Sequence, residues 1–283
     1  MSRNYFGLLI GLFALVSCVN VNPQERRQHA DMLAIAHDWQ QLRLPTEQFV
    51  LAAYASKPIL QADVLAVYIE GDGLAWLSDS QASDDPTPLH PVSLELAIHH
   101  PLGAAVYLAR PCQYVEPGEA RNCRQTYWTN RRFAPEVIEA SDQAISALKQ
   151  RFGASKLVLV GYSGGGAVAA LVAARRKDVV QLITVAGNLD HRAWTEHHRV
   201  SPLEGSLNPA DGWRALQDVP QLHFVGERDA VISRAMVDAY ASRFPLDRRP
   251  EVVMVPGFDH LCCWVEKWGD LLLERRDVIS HLR

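Results

Sequence analysis

The sequence lacks a surplus of either charge. Lys and Arg number 28 against 32 Asp and Glu, a formal net charge of −4. A nucleic-acid binder usually carries a basic patch or stripe, so that class of partner is excluded. There is no block of like charge to mark an interaction tail, and the short cluster Arg175-Arg176-Lys177 reads as the solvated end of a helix. No apolar stretch reaches the roughly 20 residues that a bilayer-spanning helix needs. The five cysteines show no Cys-x-x-Cys or paired-histidine spacing of a zinc site. No internal repeat and no linker divides the chain, so one domain is expected. With 48% apolar and 21% charged residues over 283 positions, it can bury a sizeable core without metal or disulfide staples.

What is present begins at the N-terminus. Arg3 precedes the apolar run Phe6–Val16, and small residues follow. A basic start, a short apolar stretch and small residues form an export signal. The segment ends Leu15-Val16-Ser17-Cys18, which resembles the lipobox of bacterial lipoproteins. That resemblance implies removal of residues 1–17 and lipidation of Cys18. Several acyl chains on one cysteine would hold the protein to a membrane. Val19, not Asp, follows the cysteine, which resembles the sorting pattern of Gram-negative lipoproteins bound for the outer membrane; the resemblance implies a cell-envelope location on its periplasmic face, with a membrane partner. Five cysteines minus Cys18 leave Cys112, Cys123, Cys262 and Cys263. In an oxidising compartment these are disulfide candidates. Cys112 and Cys123 bracket a Pro/Gly-containing loop and suit a local bridge, while adjacent Cys262-Cys263 are either a vicinal disulfide or two thiols.

Along the chain, residues 18–47 read as a tether and lead-in helix, and 48–283 as the main domain. Apolar strands are expected at Phe49–Ala55, Val64–Ile69, Ala104–Leu108, Lys156–Val160, Val179–Ala186, Gln221–Val225 and Glu251–Val255. Helices are expected at Val92–His99, Pro135–Phe152, Gly165–Arg176, Ser233–Phe244 and Trp264–Leu282. Residues 78–91 are Ser/Asp/Pro-rich loop, 111–130 are irregular, and 190–218 form an irregular insertion carrying Trp194 and Trp213. Wholly apolar strands alternating with helices imply a mostly parallel sheet with helices on both faces.

Three short segments carry chemistry. Leu157–Val160 runs into Gly161-Tyr162-Ser163-Gly164-Gly165 and then an Ala-rich helix. A serine at the apex of a sharp strand-to-helix turn presents its hydroxyl in a strained conformation. The bare Gly-x-Ser-x-Gly pattern would occur by chance in roughly one chain in ten of this length, so the flanking strand and helix are what separate a nucleophile from a glycine-rich packing turn. A serine hydroxyl needs a base. Glu251–Val255, then Pro256-Gly257-Phe258-Asp259-His260, presents a histidine after a late strand. His99-His100 and His197-His198 have weaker settings. The imidazole needs a carboxylate to fix its tautomer. Leu222–Val225, then Gly226-Glu227-Arg228-Asp229, offers Asp229, with Glu227 as second choice.

Ser163, Asp229 and His260, in that chain order and each after a strand, resemble the α/β-hydrolase family over about residues 48–283. Gly-Glu-Arg-Asp-Ala-Val-Ile is similar to that family's acid loop, and Gly-Phe-Asp-His to its histidine loop. The resemblance implies an α/β-hydrolase fold with a small insertion before the acid loop. It implies a Ser163-His260-Asp229 triad acting on a small-molecule acyl substrate through an acyl-enzyme, with no cofactor or metal. It also implies an oxyanion hole from the Gly164 N–H and the turn Glu70-Gly71-Asp72-Gly73, where Asp72 donates through its backbone and Gly71 lies beside it. The family's usual His-Gly is Glu70-Gly71 here, and an acidic side chain beside an oxyanion must be paired or turned away. The expected activity is carboxylic-ester hydrolysis. Amide or peptide hydrolysis with the same triad, or an inactive envelope binding module, are the alternatives, and oligomeric state is not legible.

Overall fold

The structure, a computed structural model, describes residues 22–275. The expected signal segment, Cys18 and residues 276–283, into which the expected last helix runs, lie outside the described residues. In chain order the elements are α1 (Pro23–Ala36), β1 (Trp39–Pro45), β2 (Val50–Ser56), β3 (Val64–Ile69), α2 (Val92–Ile98), β4 (Ala104–Leu108) and α3 (Pro135–Arg151). Then come β5 (Lys156–Tyr162), α4 (Gly164–Ala173), β6 (Val179–Val185), α5 (His191–His198), α6 (Trp213–Leu216), β7 (Gln221–Gly226), α7 (Arg234–Ala241), β8 (Glu251–Val255) and α8 (Trp264–Glu274). Among the described residues no helix is long and apolar enough to cross a membrane.

The strands form one sheet in the order β1-β2-β4-β3-β5-β6-β7-β8. β1 and β2 run antiparallel, as do β2 and β4; every other pairing is parallel. Successive side chains of a strand point to opposite faces, so each wholly apolar strand supplies two cores. Leu65, Val67, Ile69, Leu157 and Leu159 pack beneath α3 and α4, against Ile138, Ile145, Leu148 and Val168. Ala66, Tyr68, Val158, Val160 and Ile183 face the other way, against Leu94 and Leu96 of α2 and Trp264 and Trp268 of α8.

The strands come close to the expected ones, and β3, β4 and β8 match residue for residue. Two elements differ. Trp39–Pro45 reads as tether but is β1, in register with β2 from Trp39↔Ser56 to Pro45↔Val50, so the sheet begins before residue 48. Its signal is short: only Leu42 and Leu44 are buried, since an edge strand needs to cover little. The insertion at 190–218 is also more regular than expected. Asp190 caps α5 by accepting from the N–H of Arg192 and Ala193, a polar eight-residue helix too short to show an apolar period.

Candidate active site

Open parallel sheets bind ligands outside the carboxyl ends of their strands, and the residues of interest gather there. Ile69 pairs with Gly161, Gly161 with Thr184, Val185 with Phe224 and Gly226 with Val255. The ends of β3, β5, β7 and β8 are thereby levelled, and the loops carrying Asp72, Ser163, Asp229 and His260 meet above them.

Ser163 sits between β5 and α4 with φ 51° and ψ −121°, a positive φ that a residue with a Cβ rarely adopts. The turn is held by close packing: a Cβ on Gly161 would overlap the Gly165 carbonyl oxygen, and one on Gly164 would overlap the Asp72 carboxylate. Ser163 Oγ lies 3.0 Å from His260 Nε2, and His260 Nδ1 lies 2.9 Å from Asp229 Oδ2. The Asp229 side chain is fully buried. Its other oxygen, Oδ1, accepts from the N–H groups of Val231 and Ile232, each at 2.8 Å. Glu227 is placed elsewhere, accepting from the Gly257 N–H at 2.8 Å, so of the two carboxylates only Asp229 reaches the imidazole. Asp259 shapes the histidine loop by accepting from the N–H of Leu261 and Cys262. Tyr162, the variable residue before Ser163, donates its hydroxyl to the His260 carbonyl at 2.9 Å and ties the two loops together.

The chain shares this architecture with solved structures. An esterase, Pf2001, from Pyrococcus furiosus superposes with a TM-score of 0.60 at 12% identity, covering 93% of this chain and 96% of that one. XC6422 from Xanthomonas campestris, described as an α/β serine hydrolase without lid, gives 0.52 at 15% identity over 86% and 94%. Est1E from Butyrivibrio proteoclasticus gives 0.55 at 14% identity over 85% and 99%. This is the α/β-hydrolase fold. No family model matches the sequence, and no curated protein matches it either.

In this hydrolase fold the turn after β3 lies against the serine. The N–H groups of Gly164 and Asp72 have no acceptor among the described residues. The Gly71 N–H, by contrast, donates to Glu70 Oε1 at 2.9 Å. Of the three expected donors, Gly71 is thus engaged with Glu70, while the N–H groups of Gly164 and Asp72 carry no acceptor among the described residues. The Asp72 carboxylate is paired, as its position demands: Arg132 Nη1 lies 2.6 Å from Oδ2 and Arg110 Nη1 3.2 Å from Oδ1. Burial alone would push this carboxyl up, but Arg132 and Arg110 outweigh it and hold it below its ordinary value. Two buried guanidiniums outweigh the Asp72 carboxylate itself, so this acidic side chain does not set a negative charge beside the turn. Gln113 donates to the Gly71 carbonyl at 3.0 Å and accepts from the Arg110 N–H. Gln113 and Arg110 flank Cys112, which is bonded to Cys123, so the cystine loop supports the turn. Cys262 and Cys263 are bonded to each other, two residues beyond His260.

Sequence reasoning did not find Arg110, Arg132 or Gln113. Nothing local distinguishes them from surface residues, and they act across 38, 60 and 42 positions. Trp194 and Trp76 line a groove beside the turn, while Trp213 packs edge-on against Phe244. His100 bonds the Tyr68 hydroxyl, and burial lowers its pKa to about 4; His198 bonds the Val231 carbonyl.

Glu70 is fully buried. Burial pushes its pKa from 4.5 to about 7, against the Gly71 N–H, which favours the carboxylate. Below pH 4.5 the carboxyl is protonated both folded and unfolded. Between 4.5 and 7 unfolding releases a proton, so stability falls as pH rises and levels off above 7. At 1.36 kcal/mol per pKa unit the total is about 3 kcal/mol. Urea unfolding of Glu70→Gln at pH 5 and pH 8 should show this slope largely gone, with the variant more stable than the parent at pH 8.

Proposed function

We propose that the protein is a serine hydrolase that cleaves carboxylic esters, with Ser163 as nucleophile, His260 as base and then acid, and Asp229 as the orienting carboxylate. The observation that carries this reading is the continuous relay from Ser163 Oγ through both His260 nitrogens to Asp229, 3.0 and 2.9 Å, on a backbone turn with positive φ. Such strain persists only where the surroundings enforce it, and it clusters at functional sites. The same fold in an esterase from Pyrococcus furiosus is in keeping with it.

In this reading His260 Nε2 accepts the Ser163 proton as Oγ attacks the ester carbonyl. Asp229 holds the Nδ1–H tautomer and stabilises the imidazolium. The tetrahedral oxyanion meets the Gly164 and Asp72 N–H groups. As the bond to the leaving alkoxide breaks, Nε2–H protonates it. Water, deprotonated by the same nitrogen, then releases the acid and restores Ser163. None of these steps calls for a metal or cofactor. Lipidation of Cys18 would place this chemistry at a membrane surface of the cell envelope.

A fluorophosphonate probe on folded protein tests the reading. Covalent labelling is expected, with the adduct on the peptide that contains Ser163. A folded protein that takes up no probe would sink it in favour of the envelope binding module. Parallel p-nitrophenyl ester and p-nitroanilide substrates separate ester from amide cleavage, and ester turnover is expected to dominate.

A further inference from the structure

Two cavities meet at the Asp72–Gly73 turn, and only those two residues line both. The smaller, about 240 Å³, contains Ser163, His260 and Leu261. The larger, about 720 Å³, runs between the loop Ala75-Trp76-Leu77 and the insertion segment around Trp194, Val200 and Leu203. We propose that the larger groove is the acyl subsite, and that the enzyme selects esters of medium-to-long apolar acids with small alcohol groups. This rests on the ester-hydrolase reading above.

The assignment of sides follows from proton transfer. The leaving oxygen must take its proton from His260 Nε2, so the alcohol belongs in the cavity that His260 lines. The acyl carbon stays bonded to Ser163 while its oxygen faces the Asp72 N–H, so the chain attached to that carbon continues past the Asp72–Gly73 turn. The chemistry of the walls agrees. Trp76, Leu77 and Val200 are 44%, 42% and 47% exposed. Three large apolar side chains, from segments more than a hundred residues apart, thus line one open trough. Clustering of that kind marks a binding surface, whereas scattered exposed apolar residues do not. The charges at the base are engaged with each other, Arg132 with Asp72 at 2.6 Å. A volume of about 720 Å³ suits a substantial organic group, and an acetyl group would leave most of it to water.

Each methylene moved out of water contributes about fourfold in affinity. Half-burial of the six methylenes that separate octanoate from acetate therefore gains roughly sixty-fold. The test is kcat/KM for p-nitrophenyl acetate and octanoate on the parent protein and on Trp76→Ala and Val200→Asp, two independent alterations of opposite walls. The parent is expected to prefer octanoate at least about tenfold, a cautious share of that gain. Each variant should lower the octanoate-to-acetate ratio by about tenfold or more. Circular dichroism and probe labelling show which variants are folded. A parent that takes the probe but hydrolyses octanoate no faster than acetate overturns the subsite while leaving the hydrolase reading intact, and so does a ratio unmoved in the folded variants. A folded parent with neither labelling nor acetate turnover overturns both.

Discussion

Ser163→Ala should lower kcat for ester hydrolysis by on the order of 10⁶-fold, to a residual rate still about 10³-fold above water. Among the described residues only Ser163 Oγ is hydrogen-bonded to His260 Nε2, at 3.0 Å, so none of them stands ready as a second nucleophile. The residue that remains should come from the oxyanion donors and substrate binding, which do not depend on the hydroxyl. KM should change little, because the acyl and alcohol cavities are lined chiefly by other residues. The fold should survive, since alanine meets the same backbone strain at φ 51° as serine does. Steady-state kinetics with an octanoate ester, beside a melting curve, would check all three. A variant retaining more than about a hundredth of the activity would mean that the hydroxyl is not the nucleophile, since such losses are typically far larger.

The three relay residues were legible because each is announced by its neighbours in the chain. Gly161 and Gly164 flank Ser163 where strand and helix crowd together, Pro256-Gly257 turns the chain ahead of His260, and Gly226 ends β7 three residues before Asp229. These are local necessities of backbone geometry, so they leave a local trace. The support of the turn after β3 leaves none. Asp72 is an acidic residue beside the proposed oxyanion site, which looks unfavourable until Arg110 and Arg132 are seen to close on it from 38 and 60 residues away. Glu70 in place of the expected histidine looks like a departure in the same way. Its carboxyl occupies the Gly71 N–H, which fixes the turn one residue before Asp72. β1 and α5 were missed for a different reason, because each is short and covers little apolar surface.

Asp229→Asn should lower kcat by about 10⁴-fold, through the tautomer of His260 and not through its position. Oδ1 of Asp229 accepts from two backbone N–H groups, Val231 and Ile232, at 2.8 Å each. In the asparagine variant the amide oxygen must stay on those donors, so the NH₂ group turns to His260 Nδ1, where Oδ2 now accepts. A donor at that position forces Nδ1 to accept, and the ring proton moves to Nε2. Nε2–H then faces Ser163 Oγ and cannot take the hydroxyl proton, although every heavy atom keeps its place. The loss should therefore fall on kcat with KM nearly unchanged, and labelling by the fluorophosphonate should slow in proportion. Glu227→Gln is the matched comparison. Its carboxylate lies two residues away and bonds the Gly257 N–H, a role the glutamine oxygen can keep, so its kcat should stay within about threefold of the parent, the ordinary scale of a conservative surface change of 0.5 kcal/mol or so. Equal losses in the two variants would show that the loop needs its charge in general, and would remove Asp229 from the relay.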